Sequence, residues 1–592
     1  MKSNIMKLKA NKSLVKWSFT LLTIFTGSLF TSCESVDLDQ QVDPSRLTVD
    51  QLDPDALLTA IQLKLAEFFD SGTTDNNIGM NEFGMQVTRM NAMITGTSYE
   101  NAFQQVSMNG VYSDAYEDAV ADVRALVPLA EESGLFTHLG MAQVMEAYIV
   151  MTLVDYFGDI PYSEAFQGAA NLAPNLDLGE DVYVAVEDLL DEASENFNKE
   201  ETASVTSDFY YDGDESNWIK LANTLKLKMY VQTKLVDNDI AFKINEIIST
   251  GDFIQTADED FQFNYSSNDV NPDSRHPLFN GNFDDGKNDY MGNDYMNMVV
   301  NQEDVDGNFI DDPRRRYYFY RQDLNFSAAD IQTLPCINED KPSHYSDEDP
   351  FCQVVSSFGS GYWGRDHGDS DGIPPDDARV VLFGVYPVGG PFDDDSGNTI
   401  SNRNTGLLGA GSSMIMLSSY VQFMLSETSL TNGVSGDPRS YLEQGVRQSI
   451  SKVMNFGSSI ANLSELAVED DIDTVEDESM TFEEDFNLTA EDVDLYVGAI
   501  LAKYDAATND DERLDIIIEQ YFLALFNNGV EAYNTYRRTG KPDLQPTLIP
   551  APGIFMRTFP YPDALVTRNI NADTKPISTQ VFWDTNPATF ID

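Results

Sequence analysis

From Asp50 to Gly251 apolar residues return at the spacing of an α-helix, and this restricts the chain more than any other pattern in it. Leu57, Leu58, Ile61, Leu65 and Phe68 form one stripe, and Tyr112, Tyr116, Val120, Val123 and Val127 form a second. Met141, Val144, Met145, Tyr148, Ile149 and Thr152 form a third. Stripes of this period mark helices with one face against a core. Further helices are expected over 182–198, 217–235 and 240–249. Breaks fall at Ser133-Gly134, Gly158, Pro161, Pro174 and Gly251, where glycine and proline end helices.

The helices of 51–251, with Tyr and Ala on their inner faces, resemble a degenerate tetratricopeptide (TPR) array. From 252 to 409 the pattern dissolves into Gly, Asn, Asp, Pro and aromatic residues, with a short strand-like piece at 380–385. Helices resume over 412–427, 438–454, 489–506, 511–527 and 531–537. Ten carboxylates between Glu469 and Asp485 mark an exposed loop. From 541 to 592 proline is frequent, and an extended segment with no helix is expected. The fold class is mostly α: a TPR-like helical scaffold carrying a large irregular, loop-rich insertion.

The N-terminus places this scaffold outside the cytoplasm. Lys2, Lys7, Lys9, Lys12 and Lys16 precede an apolar run, Trp17 to Phe30, that is too short to span a bilayer. Phe30-Thr31-Ser32-Cys33 then resembles the cleavage site of a bacterial lipoprotein signal. Residues 1–32 are expected to be removed and Cys33 to carry lipid. Residues 33–50 read as a polar tether of at most roughly 50 Å. Several acyl chains, at about 0.8 kcal/mol per buried methylene, hold such a protein on its membrane.

Without the signal, 31 basic side chains face 98 acidic ones. A surface so negative excludes nucleic acid, which needs cations to displace phosphate counterions. Cys336 and Cys352 remain, flanking a charged segment. In an oxidising compartment they are either bridged, worth about 3 kcal/mol in the chain-entropy picture, or two buried thiols.

Five motifs, in order, resemble one family. They are Gly158-Asp159-Ile160-Pro161-Tyr162-Ser163-Glu164-Ala165, Trp218-Ile219-Lys220-Leu221-Ala222-Asn223, Glu531-Ala532-Tyr533 through Arg537-Arg538-Thr539-Gly540, Arg557-Thr558-Phe559-Pro560-Tyr561-Pro562 and Trp583-Asp584-Thr585-Asn586. They are similar to signatures of the SusD/RagB outer-membrane nutrient-binding lipoproteins. The resemblance implies a single domain over 51–592 and docking on a SusC-like TonB-dependent transporter at the outer membrane. It also implies capture of glycan, or in some members peptide, without catalysis. The motifs themselves read as structural: Gly158 and Pro161 end a helix, and Gly540 suits a left-handed cap.

The ligand is expected in the irregular region, where loops on a rigid scaffold carry function. Its densest stretch runs from Phe358 to Asp369. Tyr362 and Trp363 offer ring faces for a sugar, and Arg365, Asp366 and His367 offer directional hydrogen bonds. Its other reading is a turn whose charges pair internally. Tyr345 and Tyr386 are secondary candidates.

Asp304, Asp306 and Asn308 resemble the start of a calcium loop, but the twelfth position is Arg315 where a glutamate would close it. Arg314, Arg315 and Arg316 could pair with the neighbouring acids instead. No other cofactor is indicated. Four histidines lie at no metal-ligand spacing, and no nucleophile or phosphate-loop motif is present. A surface glycosidase and a pure TPR interaction protein are the rival classes.

Overall fold

The structure, a computed structural model, describes residues 52–70, 78–94, 98–283, 289–324, 335–370, 380–400, 402–456, 486, 488–588 and 590. The signal, Cys33, its tether and the acidic stretch 469–485 lie outside the described residues.

Helices α1 (Pro54–Asp70), α2 (Met80–Val87), α3 (Ala121–Ser133), α4 (Phe136–Phe157), α5 (Gly179–Phe197), α6 (Glu215–Gln232) and α7 (Ile240–Thr250) build the first half. α4 is its axis, packed against α1, α3, α5 and α6. Every residue of α4 except Phe136 is buried, as a helix apolar on all sides requires. Two of its buried polar groups are matched: Gln143 accepts from Asn196, and Glu146 from Arg124 and Tyr162. Gly158, at φ +71°, stops the helix, and Tyr156 stacks on Phe559 at 5.0 Å.

The second stripe departs from its expected register. A π-helical stretch, Asp114–Val120, joins a short helix to α3 and widens the turn. Val111, Ala115 and Ala119 therefore face the core. Tyr112 and Tyr116 end half-buried, stacked 4.4 Å apart.

Between the halves the described residues form three antiparallel pairs. They are β1 (Phe261–Asn264) with β6 (Ser412–Met416), β2 (Phe319–Tyr320) with β5 (Leu382–Phe383), and β3 (Val354–Ser356) with β4 (Gly359–Tyr362). The expected strand at 380–385 thus pairs only through Leu382–Phe383. The expected helix at 412–427 begins late, because 412–416 finds a strand partner 150 residues upstream that no local period reveals.

After α8 (Asn293–Val300), helices return as α9 (Ser418–Thr431), α10 (Pro438–Asn455), α11 (Ala490–Ala506), α12 (Asp510–Ala524) and α13 (Gly529–Thr539). Several carry caps written in the sequence. Asp437 caps α10 with Pro438 at its first position, and Thr489 with Asp492 forms a capping box on α11. The C-terminal segment, expected without helix, holds a short one, α14 (Asp563–Arg568), entered through Pro562.

Helices α2 and α13 touch backbone to backbone at two glycines. A Cβ on Gly84 would lie 2.0 Å from Gly529 O, and one on Gly529 would lie 1.9 Å from Asn81 O.

The sequence motifs converge on one buried carboxylate. Asp155 accepts from Tyr183 and Trp583 on one oxygen, and from Asn534 (2.8 Å) and Lys228 (3.4 Å) on the other. Lys228 also pairs with Glu531 at 3.1 Å; burial opposes its charge, but Glu531 and Asp155 hold its pKa above the usual lysine range. Arg537 donates to the backbone oxygens of Asp155 and Arg557 and lies over the rings of Tyr533 and Trp583. Arg538 forks onto Glu427 at 2.9 and 2.8 Å, and Arg557 pairs with Asp584. Removing one member of such a buried set costs about 3–5 kcal/mol, because the partner charge stays behind unpaired.

Candidate ligand-binding site

The stretch expected to hold a ligand is folded inward. Cys336 and Cys352 are joined by a disulfide, and Trp363, 6% exposed, packs on both cysteines with Ile337 and Phe351. The Tyr362 hydroxyl accepts from Arg315 at 2.6 Å, and Arg321 lies 5.0 Å over its ring. Arg365 pairs with Asp369 at 3.1 Å. Asp366 accepts from the Cys352 backbone N–H, Asn293 and Gln545, and burial pushes it up to about 6. His367 Nδ1 accepts from the Met93 N–H, and burial with Arg89 nearby holds the ring well below the usual histidine range.

Tyr386 is buried against Tyr318 and Phe456, and Tyr345 is buried beside His344 and Phe351. None of these rings has a face open to a sugar, so the expected platform at 362–367 takes a packing role. The glycines there do admit close approach, but of the protein's own chain. A Cβ on Gly361 would lie 2.7 Å from Asp323 O, and one on Gly364 would lie 2.4 Å from Met291 O.

The calcium-like stretch is likewise closed on itself. One Asp304 carboxylate oxygen accepts from the backbone N–H of Asp306 and Asn308, and the Asn308 amide donates to both oxygens. These bonds, the Asn308 side chain's first, lower the Asp304 pKa. Asp311 pairs with Arg315 and Asp312 with Arg314. Among the described residues no three His, Cys, Asp or Glu side chains group as metal ligands.

A cleft opens elsewhere, between residues 100–106 and the C-terminal segment. It is a shallow, open depression of about 460 Å³ lined by Glu100, Phe103, Gln104, Gln105, Val106, Pro560, Asp563, Thr574, Lys575, Pro576 and Ile577. Its floor is fixed to the core. Phe103 meets Phe559 edge-on at 5.5 Å, and Ile577 O accepts from the backbone N–H groups of Arg557 and Thr558. The Tyr561 hydroxyl donates to Asp159 O, and the Ala564 N–H to the Asn109 side chain. Lys575 donates to Phe157 O at the end of α4 and sits 4.0 Å over the Tyr561 ring; burial pushes it down to about 7. Val106, 61% exposed, stands at the rim.

The volume lies within the ~300–1,000 Å³ of small-molecule sites. The lining combines apolar CH surface with amides, carboxylates and a hydroxyl. The motif Pro560-Tyr561-Pro562 was legible in the sequence as a signature, but nothing local showed that it would face Glu100–Val106 some 450 positions away.

Residues 44–347 match a family model described as starch-binding, associating with the outer membrane, and 391–570 match one described as Susd and RagB outer membrane lipoprotein. No curated protein matches the chain. Among solved structures it is similar to a SusD/RagB family protein of Bacteroides thetaiotaomicron (TM-score 0.62, 18% identity, covering 90% of this chain and 100% of that one). A SusD homologue of Bacteroides fragilis aligns with TM-score 0.58 and 20% identity, over 91% of this chain and 100% of that one. A chitin-binding protein aligns with TM-score 0.61 and 17% identity, over 90% and 100%. No helix among the described residues is long and apolar enough to cross a membrane. The chain belongs to the SusD/RagB family of outer-membrane lipoproteins.

Proposed function

We propose that the protein is a lipid-tethered receptor on the outer face of the cell. It captures glycan in the cleft between Glu100 and Ile577 and passes it, unaltered, to a SusC-like TonB-dependent transporter. The observation that carries this reading is the cleft, about 460 Å³, with Phe103, Pro560 and Ile577 among its apolar groups and Gln104, Gln105 and Thr574 among its polar groups. A sugar ring needs this pairing of CH contact with fixed donors and acceptors. The starch-binding description of the matching family and the chitin-binding neighbour support glycan as the ligand. Family descriptions of binding proteins support capture without chemistry.

The test is titration of the protein with oligosaccharides, alongside a Val106→Met/Thr574→Met variant that fills the mouth with uncharged, flexible side chains. Both positions are exposed, so the fold should tolerate the change. Affinity should fall about tenfold, the loss of one to two kcal/mol of ring contact, and the sugar should be recovered intact. Undiminished binding in the variant would move the site, and hydrolysis lost on mutating one carboxylate would make the protein an enzyme.

A further inference from the structure

The charge around this cleft narrows the ligand, given the reading that the cleft takes glycan. Two carboxylates line it, Glu100 in the short helix Tyr99–Ala102 and Asp563 at the start of α14. Both residues are exposed, and among the described residues neither side chain has a hydrogen-bond or ion-pair partner. The other polar groups of the lining, Gln104, Gln105 and Thr574, are neutral.

The lining's cation, Lys575, is turned away from a ligand. Its Nζ is held by Phe157 O over the Tyr561 ring, and burial leaves it only partly charged at neutral pH. The field inside the cleft is therefore negative, and the whole chain, at −62, reinforces it. A sugar hydroxyl can donate to either carboxylate. An anionic sugar would be repelled. An ammonium donates in the same way and adds the attraction of its own charge.

We propose that the cleft selects glycans bearing free amino groups, oligomers of unacetylated amino sugar, with ammonium groups held by Glu100 and Asp563.

The test compares length-matched oligomers of glucosamine and N-acetylglucosamine on the full protein, on Glu100→Gln/Asp563→Asn and on the Val106→Met/Thr574→Met variant, at low and high salt. The glucosamine oligomer should bind about tenfold tighter than its acetylated counterpart. That preference should vanish in Glu100→Gln/Asp563→Asn, because the glucosamine oligomer loses more affinity than the acetylated one. Equal affinity for the two oligomers, with both weakened by the mouth-filling variant, overturns the amine preference and leaves a glycan cleft. A preference abolished by salt but kept in Glu100→Gln/Asp563→Asn overturns it as well, by assigning it to the net charge of the whole chain. If neither oligomer responds to the mouth-filling variant, the cleft itself is not the glycan site.

Discussion

Asp155 and Asp366 are both buried carboxylates that accept several hydrogen bonds, and they differ in the company they keep. Asp155 meets the ammonium of Lys228, with the Arg537 guanidinium on its own backbone oxygen. Asp366 meets only neutral donors, with Asp369 close enough to raise its pKa further after burial has done so. Asp294 nearby is pushed up to about 7 by burial although Arg89 pulls the other way. A cation in contact with a buried acid offsets part of the cost of burying its charge and ties elements together. Without one, burial is relieved by keeping the proton. The first region works as a clasp of cations and acids, the second as a polar filling whose acids keep their protons to higher pH.

The largest effect that would test this contrast is at the clasp. Asp155→Ala should destabilise the fold by about 3–5 kcal/mol, since Lys228 and the Trp583 and Asn534 donors lose their acceptor. Denaturant unfolding measures it, and a loss below about 1 kcal/mol would dissolve the distinction between the regions. In the filling, Trp363→Ala should cost about 3 kcal/mol as a cavity against the disulfide and leave glycan affinity unchanged. Lost binding at unchanged stability would restore the ligand role expected from sequence.

Replacing Cys336 and Cys352 together by serine should lower stability by roughly 2–3 kcal/mol, and mass spectrometry of the unreduced digest should show the linked peptide.

The smallest effect separates the two kinds of acid by pH. Asp294 and Asp366 hold protons in the fold, with pKa values of about 7 and about 6. The unfolded chain releases those protons near pH ~4. Between roughly pH 4 and 7 the folded state binds more protons, so stability falls as pH rises, by at most about 1.4 kcal/mol per unit per carboxyl. These two carboxyls therefore add stability as the pH is lowered from neutral, and the melting temperature of Asp366→Asn should gain less over that range than that of the wild type. A variant whose melting profile stays parallel to that of the wild type would show that Asp366 is ionised after all.

The helices were readable because their signals are local. Stripes, caps and the glycine at 158 all act within a few residues, and α1, α4, α5 and α10 lie where those signals put them. Three features needed partners from afar. Ser412–Met416 became a strand because β1 lay beside it, and the π-helical stretch at Asp114–Val120 moved Tyr112 and Tyr116 out of the core. Trp363 is buried against a disulfide whose two cysteines lie 11 and 27 positions before it. The site was the least legible part. Aromatic, arginine and glycine residues compose sugar sites and tight polar packing alike, and composition alone does not distinguish an outward ring from an inward one.

The clasp also makes the chain's two ends mutually dependent. Asp155 finds Asn534 and Trp583 nearly 400 and more than 400 positions later, and Arg557 closes on Asp584 within the last turns of the polypeptide. A nascent or partly exported chain holds Asp155 and Lys228 without those donors and cannot complete its interior until the C-terminus has emerged. Contacts of such long sequence separation form late. The native interior therefore becomes available only once the whole polypeptide is free to fold.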